Sequence, residues 1–239
     1  AASGATRTLA VGIALLWAPG VTVDHDDSTR YLLWIVPAGL GLPDRESYFL
    51  DSDAGVSLRS AYVDHVGAQL RNAGHPAPEL APEVLALETR LAEPQLRAEE
   101  RRDRGRTLNR FAVDALEAAA PGLALTAYLE AVGAGGVASV NLTQPAYLGA
   151  VREVLDSTDL AVLQAWASFQ IVAANAAALP AAIEDEAFAF YGRRVEGKQE
   201  PKDRWKRVVA ALGSDMGEAL SQLFVRATFS EDAKHRAQA

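Results

Sequence analysis

Cysteine is absent from all 239 residues, which excludes a disulfide framework, a thiolate nucleophile and any cysteine-based zinc site. Histidine is scarce too: His25, His65, His75 and His235 include no pair four apart, so the chain holds no H-E-x-x-H and no helix that presents two imidazoles to a metal. Positive charge is in the minority. With 23 Lys and Arg against 31 Asp and Glu, the net charge of −8 argues against a partner bound through its phosphate backbone, because cations supply most of that affinity. No Gly-x-Ser-x-Gly elbow positions a serine nucleophile. Gly39-Leu40-Gly41-Leu42-Pro43 lacks both the Walker lysine and the spacing of a dinucleotide loop.

Long apolar runs are also few. Leu9 to Trp17 follows Arg7 but is far shorter than the roughly 20 residues a membrane helix needs, and it reads as a strand. Asp159 to Leu179 is the longest apolar segment, yet Gln164, Gln170 and Asn175 interrupt it, so a central core helix is expected and no membrane span. What is present is ordinary globular material, 49% apolar and 23% charged, enough to bury a real core.

Along the chain, Val11–Trp17 and Tyr31–Val36 are β-rich runs joined by the polar Asp24-His25-Asp26-Asp27-Ser28, which predicts an antiparallel hairpin with a long loop. From Ser57 the pattern turns helical. Leu58, Tyr62, Val66 and Leu70 recur every fourth residue, one buried stripe, until Gly74-His75-Pro76-Ala77-Pro78 breaks it. A second helix starts at Pro82, a first-turn residue, and should stop before Pro94.

Arg97, Arg101, Arg102, Arg104, Arg106 and Arg110 follow, interleaved with Glu93, Glu99, Glu100 and Asp103. A solvated helix laced with i,i+4 pairs is expected there, and no aromatic offers a base-stacking platform. Further helices are expected at 111–119, 123–132, 183–194 and 202–229, the last with Trp205, Val208, Val209, Leu212, Met216, Leu220, Leu223 and Phe224 facing inward. The fold class is therefore mainly α, a multi-helix domain with one small antiparallel β hairpin near the N-terminus.

Chemistry-bearing groups are sparse. Asp24 to Asp27 are consecutive in a loop, and a surface role fits better than a metal site. His65 lies beside the Tyr62 and Val66 stripe, where a hydrogen-bonded, partly buried histidine is the ordinary expectation. Glu184, Asp185 and Glu186 fall at a helix start, where carboxylates complement the dipole.

Six motifs in one order carry more information. Gly39-Leu40-Gly41-Leu42-Pro43-Asp44-Arg45 follows a strand. Leu85-Ala86-Leu87-Glu88-Thr89-Arg90-Leu91-Ala92-Glu93, Gln144-Pro145-Ala146-Tyr147-Leu148, Phe188-Ala189-Phe190-Tyr191-Gly192 and Arg204-Trp205-Lys206-Arg207 come next. Last is Met216 to Val225, continued by Phe229 and Lys234. Together they resemble the N-terminal, non-catalytic region of the neprilysin and endothelin-converting-enzyme zinc metallopeptidases. The chain departs from that pattern at Pro94 and Leu108, where the family continues a helix to a Trp and has a Tyr.

The resemblance implies one helical domain over 1–239, with the hairpin and Gly-Leu-Gly-Leu-Pro turn in 1–50 and helices in 51–239. In the family such a lobe encloses a chamber that admits only peptides and small proteins. No catalytic or metal-ligating residue carries over, so the chain should not hydrolyse peptides alone; zinc is expected only in a catalytic part absent from it. Two readings stay open. The chain is the substrate-enclosing part of a peptidase, with a separate catalytic half or a homo-oligomer partner. Alternatively it is a stand-alone, shortened relative that binds a peptide or small molecule, even in a biosynthetic step. Trp34, Tyr48, Tyr62, Trp166, Tyr191 and Trp205 are the aromatics available to line such a ligand site. No nucleic acid is expected as a partner. The cell-surface relatives lean on disulfides, so a cysteine-free, Ala-rich version implies a bacterial, cytoplasmic protein. Starting at Ala1 with its sole Met at 216, the chain reads as processed, truncated or trimmed.

Overall fold

A computed structural model describes residues 15–230 together with Ala233 and Arg236. Most of the run Val11–Trp17 therefore lies outside the described residues. Contacts divide the chain into two compact units, residues 1–190 and 191–239.

In the first unit, β1 (Trp17–Val23) and β2 (Tyr31–Pro37) form the antiparallel hairpin, paired from Trp17 with Pro37 to Val23 with Tyr31. The strand thus lies later than expected, on Trp-Ala-Pro-Gly-Val-Thr-Val. Pro19 has no N–H to give, but β1 is an edge strand, where a missing donor is tolerated. Two further strands were not expected: β3 (Arg110–Ala112) and β4 (Ser139–Leu142) extend the sheet in the order β1-β2-β4-β3. β4 runs parallel to β2 and antiparallel to β3. Leu33, Ile35, Val140 and Leu142 are buried on one face, while Trp34 and Asn141 sit in register on the other.

Helices supply the rest of the core. α1 (Asp53–Asn72) is capped by Ser52, whose side chain accepts from the Gly55 N–H at 3.2 Å. It buries Tyr62, His65, Val66, Gln69 and Leu70. α2 (Ala81–Ala92) begins with Pro82 and ends two residues before Pro94, burying Val84, Leu87, Glu88 and Leu91. The expected helix over the arginines does not form as one piece. A 3-10 turn (Glu100–Arg102) and the single turn α3 (Arg104–Thr107) stand there instead. Their ion pairs are not spaced i,i+4: Arg106 meets Glu100 and Asp103, and Arg110 reaches Asp24 and Asp26 in the hairpin loop.

α4 (Leu116–Ala119) and α5 (Leu125–Ala131) lead to β4, and α6 (Pro145–Ser157) packs Tyr147, Leu148, Val151 and Val154 inward. The Tyr147 hydroxyl lies 2.8 Å from the Leu16 carbonyl and 3.0 Å from that of Ala38, donating to one at a time and so tying both edges of the hairpin base to α6. Tyr147→Phe is expected to cost about 1 kcal/mol in urea unfolding, the net worth of one such bond.

α7 (Leu160–Asn175) is half a core helix. Val162, Ala165, Trp166 and Phe169 are buried, but Leu160 and Ile171 are exposed. By length and composition alone Leu160–Ala178 could cross a membrane, with mean hydropathy 1.3. α8 (Ala181–Ala187) closes the first unit. Its Glu186 does not serve the helix start: its carboxylate lies 2.9 Å from His65 Nδ1.

The second unit carries α9 (Arg204–Asp215) and α10 (Gly217–Thr228), neither of which has a buried residue. The expectation that their apolar stripe faces inward is overturned. Trp205 is 65% exposed, and Leu223 and Phe224 60% each.

Candidate functional site

Two places in the first unit concentrate polar groups within apolar walls. The first is built on Glu88. Its position on α2 follows from helix periodicity, since Val84, Glu88 and Leu91 fall on one stripe, and that stripe is buried. Glu88 is fully buried and accepts from four donors: the Tyr48 hydroxyl at 2.7 Å, the Tyr62 hydroxyl at 2.8 Å, Gln170 Nε2 at 2.8 Å and the Gly41 N–H at 3.2 Å. The Tyr48 hydroxyl in turn accepts from the Gly41 and Leu42 N–H groups at 3.1 and 3.0 Å. On the other side of the turn, Trp166 Nε1 and Gln170 Nε2 each donate to the Gly39 carbonyl at 3.2 Å.

The Gly-Leu-Gly-Leu-Pro turn is thus held by side chains of α1, α2 and α7 converging on one carboxylate. Burial pushes the Glu88 carboxyl up to about 7, against the pull of its four donors. Burial, then the Glu88 charge, pushes the Tyr48 phenol well above its usual value.

His65 stands next to this node. Its ring stacks on Phe190 at 4.7 Å and meets Phe169 edge-on at 5.8 Å, and burial lowers its pKa despite the Glu186 carboxylate. The histidine is hydrogen-bonded as expected and more fully buried than expected.

The second place is an open cleft of about 360 Å³ on the outer face of the sheet, lined by Trp34, Val36, Pro37, Gln95, Arg101, Thr107, Thr143 and Gln144. Asn141 anchors the segment that walls it, donating to the Thr107 carbonyl at 2.9 Å and accepting from the Asn109 N–H at 2.5 Å. Gln144 Oε1 holds the other end of that wall through the Leu96 N–H at 2.7 Å.

The six aromatics named from sequence are therefore not one site. Tyr48, Tyr62 and Trp166 belong to the Glu88 node, and Trp34 lines the cleft. Tyr191 lies half-buried in the π-helical turns Phe188–Val195, and Trp205 lies on the exposed face of α9. Glu88, Gln170 and Arg101 were missed as candidates, although the Val84, Glu88, Leu91 spacing could have marked the first.

In the hairpin loop, Asp24 accepts from the Asp26 N–H at 3.0 Å and from Arg110 at 2.7 Å, which hold its carboxyl below the usual range. Among the described residues no group of three or more His, Cys, Asp or Glu could hold a metal ion. The side chains of the described residues do not fit a catalytic zinc.

The family model of Peptidase family M13, for its N-terminal part, matches residues 2–239. Endothelin-converting enzyme 1 of Rattus norvegicus is 26% identical over 226 residues, covering 90% of this chain and 29% of that protein. Membrane metallo-endopeptidase-like 1 of Mus musculus is 25% identical over 228 residues, 88% of this chain and 30% of that protein. Among solved structures, the open state of Mycobacterium tuberculosis zinc metalloprotease Zmp1 superposes with a TM-score of 0.90 at 28% identity. It covers 99% of this chain, which spans 37% of that one. The chain thus spans about a third of the length of the proteins it matches.

Proposed function

The chain belongs to peptidase family M13, and from that membership we propose that it is the helical, substrate-enclosing part of a neprilysin-like zinc peptidase. Its contribution is chamber shape, exclusion of water and selection of peptides by size, while zinc chemistry is carried by residues this sequence does not contain. The observation that carries the reading is the family match over residues 2–239 in a sequence without H-E-x-x-H. The exposure of Trp205, Leu212, Leu223 and Phe224 on α9 and α10 supports it, because several large exposed apolar side chains on one pair of helices are a common mark of an interface.

The test is the native mass and zinc content of the protein purified from its own organism. A species larger than the 25.4 kDa of this chain with about one zinc per copy is expected, whether in one polypeptide or two. A zinc-free species of 25.4 kDa, or a simple multiple of it, overturns the proposal. That outcome would favour the second reading, a binding protein without zinc chemistry, for which the sheet-face cleft is the supporting feature.

A further inference from the structure

We infer that the cleft on the outer face of the sheet binds small apolar carboxylates: a free acid, or the carboxy-terminal residue of a peptide. This site goes beyond the enclosing role and does not depend on it.

Its wall is apolar on one side, where Trp34, Val36 and Pro37 of β2 stand together. Its opposite side is made by the segment from Gln95 to Thr107, which Asn141 and Gln144 pin in place. The volume of about 360 Å³ falls in the range of small-molecule sites, and an amino-acid-sized ligand fits it.

The polar groups there are already partly used, and the one charged group among them is a cation. The Thr107 and Thr143 hydroxyls donate to the carbonyls of Asp103 and Ile35. Gln95 Nε2 donates to the Leu91 carbonyl, and Gln144 Oε1 accepts from Leu96. Two donors that a ligand can reach remain without a protein partner among the described residues, the Gln144 amide nitrogen and the Arg101 guanidinium. The Trp34 indole N–H is closed off from solvent, so Trp34 contributes to the cleft as apolar wall and not as a donor.

Arg101 is the one charged residue in the lining, which contains no carboxylate. Of its acidic neighbours, Glu100 pairs with Arg106 and Asp103 caps the Gly105 N–H. A site with one unpaired cation, a spare amide donor and an apolar wall selects an anion with an apolar body. Phosphate esters fit less well, because the lining holds a single cation and a dianion would need a second.

Isothermal titration calorimetry on this chain tests the inference with three probes: N-acetyl-leucine, 4-methylpentanoate and N-acetyl-leucinamide. One or both acids should bind saturably, and the amide, which lacks the charge, about tenfold or more weaker. Binding of N-acetyl-leucine alone identifies a peptide carboxy-terminus as the source, and of 4-methylpentanoate alone a free acid. Binding of both shows that carboxylate and apolar body suffice. Arg101→Gln should weaken acid binding about tenfold or more without moving Tm, since Arg101 is exposed and makes no ion pair. Val36→Trp, which fills the cleft from its wall, should abolish it. The inference is overturned if neither acid binds up to about 10 mM, if acid and amide bind alike, or if Arg101→Gln leaves the affinity unchanged.

Discussion

Glu88→Ala is expected to destabilise the first unit by about 3–5 kcal/mol, at about 1–3 kcal/mol for each buried neutral donor left unsatisfied, which is much of the 5–15 kcal/mol typical of a whole domain. Four donors lose this acceptor at once, the Tyr48 and Tyr62 hydroxyls, the Gln170 amide and the Gly41 N–H, although Gln170 keeps the Gly39 carbonyl and Gly41 the Tyr48 hydroxyl. Burial leaves water no way to replace it. Glu88→Gln keeps the shape and one acceptor oxygen, so it should fold, and it removes the titration.

That titration has a definite sign. Glu88 is pushed from 4.5 to about 7 in the folded chain, so the folded state holds a proton that the unfolded state has already released. Its contribution is fully present below about pH 4.5 and is lost as pH rises through about 7, roughly 3 kcal/mol in all. His65 works the other way. Its folded pKa lies below the ordinary 6.5, so its contribution is present above that value and lost as pH falls. The wild-type profile therefore mixes two opposed slopes, and the difference between wild type and Glu88→Gln isolates the first. Urea midpoints measured from pH 4 to 8 should show wild type losing ground to Glu88→Gln as pH rises. Parallel profiles would mean that the buried carboxyl titrates as an ordinary one.

Much of this architecture is legible in the sequence because it rests on periodicity and on residues with one backbone preference. The Tyr62, Val66, Leu70 stripe, Pro82 at a helix start and Pro94 just past its end each act through local sterics, and the structure follows them. β3 and β4 escaped because strands of three and four residues offer too little alternation to register. Asn141 looks like a loop residue, yet it is buried in β4, satisfied by the backbone of the neighbouring segment. The arginine-rich stretch looked helical by charge spacing, but its partners lie elsewhere: Arg110 is held by Asp24, 86 residues away.

The α9 and α10 stripe was read correctly as apolar and wrongly as internal. Periodicity identifies a face to be covered and says nothing about which chain covers it. The Glu88 node shows the reverse case. Its residues are scattered over Gly39 to Gln170, and only the fold brings a glutamate, two tyrosines and a glutamine to one turn.

Gly39→Ala and Gly41→Ala carry the second large effect, because at this turn the backbone passes where no Cβ fits. At Gly39 the φ of 85° is left-handed, and a Cβ would overlap the Leu15 carbonyl oxygen and come within 2.8 Å of the Trp166 ring. At Gly41 it would overlap the Tyr62 hydroxyl and come within 3.1 Å of the Phe169 ring. Left-handed strain of about 1–2 kcal/mol and overpacking of about 1–3 kcal/mol give roughly 3 kcal/mol for Gly39→Ala. The steric part alone applies at Gly41. Gly20→Ala is the control: nothing lies within 4 Å of its Cβ position, and it should be neutral or slightly stabilising.

A double-mutant cycle between Gly41 and Glu88 then asks whether turn and carboxylate act as a unit. Gly41→Ala displaces the Tyr62 hydroxyl that Glu88 binds, so the two losses should overlap and the double mutant should be more stable than their sum predicts, by about 1–3 kcal/mol. Strict additivity would show that the turn is held by its own backbone and that Glu88 serves only the helices. The turn leaves β2 directly after Val36 and Pro37, the apolar wall of the cleft. Loosening it should therefore also weaken binding of the apolar acids there, while Gly20→Ala leaves it intact. Stability of the node and occupancy of the cleft would then share one structural origin, the path of the chain through Gly39 and Gly41.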